Sequence, residues 1–85
     1  MEFIVVAYRS RADTVRFADF LRYNGIQNEI VSTPKEAGVG CGLSVKIPKG
    51  ALVYAKKAVY SAKLSSFAGI FLITDYGGKR LVRTI

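Results

Sequence analysis

The first strand-forming segment, Glu2–Arg9, is apolar on both of its alternating sides. Its β-branched and aromatic residues favour an extended conformation. A strand that is apolar on both sides is typical of the middle of a sheet with cover on both faces. We therefore predict a central strand here. Its two alternating sets of side chains are Phe3, Val5 and Ala7 on one side and Ile4, Val6 and Tyr8 on the other.

A helix is predicted directly after this strand, from Ser10 to about Tyr23. Ser10 is a favoured N-cap residue, and Asp13 stands three residues later in place of the Glu or Gln of a capping box. The pair Asn24-Gly25 is a strong signal for the end of a helix. The predicted buried stripe consists of Val15, Ala18 and Leu21, widened by Phe17 and Phe20.

The clearest two-residue alternation in the chain lies in its middle and predicts a third strand over Cys41–Ile47. A short second strand is predicted before it at residues 27–33, and a loop with two glycines, Lys35–Gly40, connects the two strands. Cys41 falls on the apolar side of the third strand. That side carries Leu43, Val45 and Ile47, and the opposite side carries Ser44 and Lys46.

The rest of the chain predicts a second helix at residues 49–64, an apolar fourth strand at 68–74 and, after the turn Gly77-Gly78, a fifth strand at 79–85. The order β-α-β-β-α-β is that of the ferredoxin-like split βαβ arrangement. We therefore predict the α+β class, with one ferredoxin-like domain over residues 1–85. Its antiparallel sheet would have the order 4-1-3-2, with both helices on one face and a C-terminal hairpin extending strand 4.

The amino-acid composition limits which catalytic and metal-binding sites the chain can form. The chain has 85 residues, a net charge of +7, no His and a single Cys. Without His there is no Ser/His or Cys/His nucleophile pair, and one Cys forms no intramolecular disulfide or Cys-rich metal site. We expect neither a metal nor a cofactor.

The positive charge favours anionic partners. No apolar run approaches the ~20 residues that span a bilayer, so we expect no membrane partner and a cytoplasmic protein with a reduced thiol.

The predicted topology places the single cysteine beside the end of the first strand. Strand 1 ends and strand 3 begins at the same edge of the sheet, so Cys41 should lie next to the turn that carries Arg9, Ser10 and Arg11. The guanidinium groups and the free N–H groups at the start of the first helix would stabilise an anion there. This environment would favour the thiolate of Cys41.

The immediate neighbours of Cys41 support two interpretations. Gly40 and Gly42 flank the cysteine and would leave its approach open, as a reactive thiol requires. Alternatively, its place on the apolar side of the third strand would make Cys41 a small core residue, a common role for a free cysteine.

A stretch that runs from Thr33-Pro34 through the glycine-bearing loop to Cys41-Gly42-Leu43 resembles the selenium/sulfur carrier protein-like family of small bacterial and archaeal domains. The opening strand, the helix stop at residues 24–26 and the final hairpin extend the resemblance over nearly the whole chain. The resemblance implies that a cysteine holds sulfur or selenium as a persulfide or selenylsulfide, and only Cys41 can take that role.

The resemblance also implies sulfur or selenium donor and acceptor proteins as partners. It points to a carrier or accessory protein rather than a stand-alone enzyme. A second cysteine is absent, so a resolving thiol would have to come from another molecule.

Two other functions stay open. A basic binding module could hold RNA or another anionic partner on an open sheet face lined by Phe3, Tyr8, Ser44 and Lys46, although the third strand has none of the aromatic residues of an RNP motif. A dimerising interaction or regulatory domain would have no chemistry of its own. We expect a homodimer in which another copy covers the apolar second face of the sheet.

Overall fold

The computed structural model describes all 85 residues. Its main elements are β1 (Glu2–Tyr8), α1 (Arg11–Tyr23), β2 (Glu29–Ser32), β3 (Leu43–Pro48), α2 (Leu52–Ala62), β4 (Phe67–Tyr76) and β5 (Lys79–Thr84). The strands form one open sheet of order β2-β3-β1-β4-β5, and every neighbouring pair is antiparallel. The α+β class is confirmed, β1 is the central strand, and β5 adds to the sheet outside β4, as the hairpin predicts.

Four element starts differ from the sequence-based prediction, and that of β4 differs by a single residue, since β4 begins at Phe67. β3 begins at Leu43 rather than Cys41, because Gly40 (φ 91°) and Gly42 (φ 94°) take left-handed conformations that interrupt an extended strand. β2 begins at Glu29 rather than at residue 27. A 3₁₀ turn over residues 49–51 precedes α2, where Gly50 disfavours a regular α-helix.

Both helices pack on the same face of the sheet, as predicted. The buried stripe of α1 differs from the expected one at Val15, which is 43% exposed, while Thr14 is fully buried. Thr14 shares the spacing i, i+3, i+4, i+7 with the other buried positions of α1, and Val15 lies beside that stripe. The core on this face consists of Ile4, Val6, Tyr8, Phe17, Ala18, Leu21, Val45, Ile47, Ala55, Ala58, Ile70 and Leu72.

The second face of the sheet is covered by the chain itself. After β2, residues 33–42 cross back over this face, and Ala37 and Val39 pack on a cluster of buried side chains that includes Val5 and Phe71. Val82 of β5 packs on the same cluster. A second copy is therefore not needed to bury this cluster, because the β2–β3 connection is long enough to reach across the central strands. The homodimer itself stays a prediction.

The same packing removes the open sheet face that was considered for RNA. Tyr8 and Ser44 are fully buried. Tyr8 lies on the helix side, with its ring 5.2 Å from that of Phe17. Lys46 is stacked over the Phe3 ring, 4.5 Å from its centroid. These four residues do not form one exposed surface, because they lie on opposite faces of the sheet and two of them have no exposed side chain.

Candidate functional site

Cys41 lies in a turn that is bound directly to the end of the central strand. Its backbone N–H donates to the carbonyl oxygen of Tyr8 at 3.1 Å. Gly40 precedes Cys41 and lies close to the same carbonyl oxygen. A Cβ at this position would lie 3.0 Å from the Tyr8 oxygen, so the close contact between the two backbone segments requires glycine. The predicted juxtaposition of Cys41 with the turn after β1 is therefore found. It results from a hydrogen-bonded turn rather than from strand pairing.

The sulfur of Cys41 is directed toward the first turn of α1. It lies 3.6 Å from the Thr14 hydroxyl oxygen and 3.8 Å from the Leu43 carbonyl oxygen. Cys41 is half-buried, so solvent still reaches it. The Thr14 hydroxyl also lies 3.1 Å from the Ser10 carbonyl oxygen, to which it donates. A hydroxyl has one proton, so Thr14 can donate to the Cys41 thiolate only by giving up this bond within the helix.

The surroundings of the sulfur favour its ionised form. Burial raises the pKa of Cys41 and is the largest single influence on it. Backbone hydrogen bonds at Leu43 and Cys41, the Thr14 hydroxyl and the charge of Arg11 lower the pKa, and the net value lies below the ordinary one.

The three residues of the predicted anion-stabilising turn have different surroundings. Arg11 is exposed, and its charge favours the thiolate of Cys41. Arg9 is also exposed, but one of its guanidinium N–H groups donates to the Phe67 carbonyl oxygen at 3.3 Å, toward β4. Ser10 caps α1, since its hydroxyl accepts from the Asp13 N–H at 3.2 Å. The hydroxyl of Ser10 is therefore occupied by the helix.

Ser66, which lies between α2 and β4, also belongs to this edge of the sheet. The Ser10 N–H donates to the Ser66 hydroxyl oxygen at 3.1 Å, and that hydroxyl donates to the Asp13 carboxylate at 2.6 Å. In a capping box, the third residue of the helix would bind the N-cap N–H directly. Here Ser66 completes that link from another element. The only signal in the sequence was that Ser66 follows α2 at the edge where α1 begins.

The chain offers little for other kinds of site. No three of its Cys, Asp and Glu side chains lie close enough together to hold a metal ion. Neither helix is long and apolar enough to cross a membrane. The chemistry at this edge of the sheet rests on one half-buried thiol, the first turn of a helix and the surrounding cations.

The fold and this site define a small α+β protein with a single cysteine at a sheet edge. The family model described as "Putative Se/S carrier protein-like" matches residues 3–67, and the chain belongs to that family. The matched segment runs from β1 to the first residue of β4 and includes Cys41 with both of its flanking glycines. No curated protein and no solved structure matches the chain.

Proposed function

We propose that this protein is a carrier of sulfur or selenium and that Cys41 holds the transferred atom as a persulfide or selenylsulfide. The observation that carries the proposal is the position of the single cysteine. It lies within the family match, in a turn bound to the central strand. Its pKa is lowered by backbone hydrogen bonds at Leu43 and Cys41, by the Thr14 hydroxyl and by the charge of Arg11. We assign the β-α-β-β-α-β arrangement to the ferredoxin-like class, with residues 1–85 as one such domain, and place the protein in the cytoplasm, where a thiol stays reduced.

Loading would begin with attack by the Cys41 thiolate on the outer sulfur of a donor persulfide. A bond forms between Sγ and that outer sulfur, the sulfur–sulfur bond of the donor breaks, and the donor leaves as a thiolate. Release reverses this sequence, with a nucleophile of the acceptor attacking the outer sulfur and Cys41 leaving as the thiolate. Because the chain has one cysteine, the nucleophile must belong to the acceptor.

The neighbours of Cys41 would serve this cycle in distinct ways. Arg11 stabilises the attacking and leaving thiolate by its charge, and Thr14 can donate a hydrogen bond to the same sulfur. Ser10 holds the start of α1 in place. Gly40 and Gly42 give the turn its conformation and, having no side chains, leave the approach to the sulfur open.

The test is the mass of the protein after incubation with glutathione persulfide. We expect wild-type protein to gain the mass of one sulfur atom, and a dithiol reductant to remove it. Cys41→Ser, which keeps the size of the side chain, should gain nothing. No gain in the wild type, or an equal gain in Cys41→Ser, would overturn the proposal.

A second candidate, a basic binding module, is favoured by the outer surface of α2. Between Glu36 and Asp75 the sequence has no acidic residue. Lys56 and Lys57 are exposed and form no ion pair, and Tyr60, which is 83% exposed, lies on the same outer surface. Unpaired cations beside an aromatic ring suit RNA or an acidic protein surface.

Binding to a labelled single-stranded RNA at several salt concentrations tests this second candidate. The double substitution Lys56→Ala and Lys57→Ala should weaken binding and lower its salt dependence. Lys79→Ala, at the far hairpin, is the matched control. No binding at low salt, or equal weakening by the control, would count against the module.

A further inference from the structure

An open cavity of about 540 Å³ lies on the loop side of the Cys41 turn. It is separate from the sulfur, which is directed toward Thr14. Its wall is formed by the end of β1 and by the β2–β3 connection, residues 33–42. The lining residues that matter here are Arg9, Lys35, Gly38, Val39, Gly40 and Gly42.

The cavity is cationic. Arg9 and Lys35 line it, no carboxylate does, and neither cation forms an ion pair. Arg9 has one N–H group bound to the Phe67 carbonyl oxygen, which orients the guanidinium and leaves its other donors free. An anion entering the cavity would therefore meet two positive charges with no negative charge on its wall.

The backbone adds uncharged donors to the same wall. The N–H groups of Val39, Gly40 and Gly42 donate to no acceptor in the protein. Two neighbours in the chain are fixed by hydrogen bonds. The Gly38 N–H, just before Val39, donates to the Lys35 carbonyl oxygen at 3.1 Å, and the Cys41 N–H, between the two glycines, donates to the Tyr8 carbonyl oxygen. Backbone N–H groups held in a turn beside cations are a common way to bind an oxyanion.

We propose that this cavity binds a tetrahedral dianionic oxyanion, the phosphate or sulfur-oxyanion group of a small molecule. The two cations match two negative charges, and the free N–H groups match the several acceptor oxygens of such a group. If the proposed carrier function holds, on which this assignment of the ligand rests, the oxyanion belongs to the donor or acceptor of the transferred atom. The cavity then anchors that molecule beside Cys41.

Titration of ¹⁵N-labelled protein with inorganic phosphate, sulfate or thiosulfate at constant ionic strength tests the site. We expect saturable shifts of the amide signals of Val39, Gly40 and Gly42. Stronger binding of phosphate would identify a phosphate group as the ligand, and stronger binding of sulfate and thiosulfate a sulfur oxyanion. Acetate is the control for charge without tetrahedral geometry. Acetate binding as tight as that of the dianions, or no saturable shift at these amides, would overturn the proposal.

Matched variants distinguish phosphate binding in the cavity from non-specific attraction to the positive surface. Arg9→Ala and Lys35→Ala should each weaken phosphate binding by about tenfold, as expected for a lost hydrogen bond to a charged group. Lys79→Ala, an exposed lysine of the far hairpin that forms no ion pair, should leave the affinity unchanged. Equal weakening by all three would show non-specific attraction and overturn the proposal.

The Cys41→Ser variant tests oxyanion binding independently of sulfur transfer. The variant keeps the cavity and should bind phosphate as the wild type does. If the wild type binds phosphate but takes up no sulfur, the carrier function fails and the oxyanion site stands. If the wild type takes up sulfur but binds no oxyanion, the oxyanion site fails and the carrier function stands.

Discussion

The Ser66 hydroxyl donates to the Asp13 carboxylate at 2.6 Å and accepts from the Ser10 N–H at 3.1 Å. Ser66 immediately precedes β4, and the other two residues form the start of α1. One hydroxyl therefore ties two elements together at the edge of the sheet where Cys41 lies. The first turn of α1, which carries Thr14 beside the sulfur, is held in place by this link.

Ser66→Ala removes both of these hydrogen bonds and leaves the buried Asp13 carboxylate with fewer donors. We expect the free energy of unfolding to fall by about 1–3 kcal/mol, measured by urea denaturation. The control is Ser65→Ala, an exposed neighbour, which should change the stability by no more than about 0.5 kcal/mol. An equal effect of the two substitutions would contradict the role assigned to Ser66.

Asp13 should make the protein sensitive to acid. The hydrogen bond from the Ser66 side chain is the main cause that lowers the pKa of Asp13, and burial opposes it. Because the folded pKa lies below the ordinary value of 3.8, the carboxylate adds stability that is fully present above pH 3.8. That stability is lost as the pH falls through the folded pKa.

We expect Asp13→Asn to be less stable than the wild type at neutral pH and to lose less stability between neutral and acid pH. Urea unfolding at a series of pH values measures both. Part of the acid sensitivity should remain, since hydrogen bonds from Lys49 and Thr74 also lower the pKa of Glu2. An unchanged slope in Asp13→Asn would contradict the prediction.

The reactivity of Cys41 should depend on Arg11 more than on Arg9. Removing the Arg11 charge destabilises the thiolate and raises the pKa of Cys41, so alkylation by iodoacetamide should need a higher pH in Arg11→Ala. Arg9→Ala should have a smaller effect, because the Arg9 guanidinium is bonded toward Phe67. The pH dependence of the alkylation rate measures both, and a larger shift in Arg9→Ala would contradict this assignment.

The two glycines that flank Cys41 should differ in their tolerance of a side chain. Both have positive φ, so alanine at either site should cost about 1–2 kcal/mol. At Gly40 the added Cβ would also meet the Tyr8 carbonyl oxygen at 3.0 Å, whereas nothing lies within 4 Å at Gly42. Gly40→Ala should therefore lower the free energy of unfolding, measured by urea denaturation, more than Gly42→Ala. A larger loss of stability in Gly42→Ala would show that the contact between Gly40 and the Tyr8 carbonyl oxygen is not tight.

Local signals in the sequence were sufficient for the secondary elements and their order. The apolar residues on both sides of β1 predict a central strand, because alternate side chains point to opposite faces of the sheet and both faces must then be covered. Ser10 predicts the start of α1, and Asn24-Gly25 predicts its end, because capping depends on residues adjacent in the chain. Gly77-Gly78 likewise predicts the last hairpin. These features involve few neighbours and can be inferred without knowing the rest of the fold.

The surroundings of the thiol and the cover of the second face were decided by the tertiary structure. Cys41 was placed correctly beside the end of β1, but its hydrogen bond to Tyr8 and the direction of its sulfur depend on a turn with two left-handed glycines. Val39 reaches the second face because the chain between β2 and β3 crosses it, which no periodic pattern reports. The link between Ser66 and Asp13 joins residues 53 positions apart. Such contacts depend on how the elements pack, because a side chain forms them only when the backbone brings distant groups within hydrogen-bonding distance.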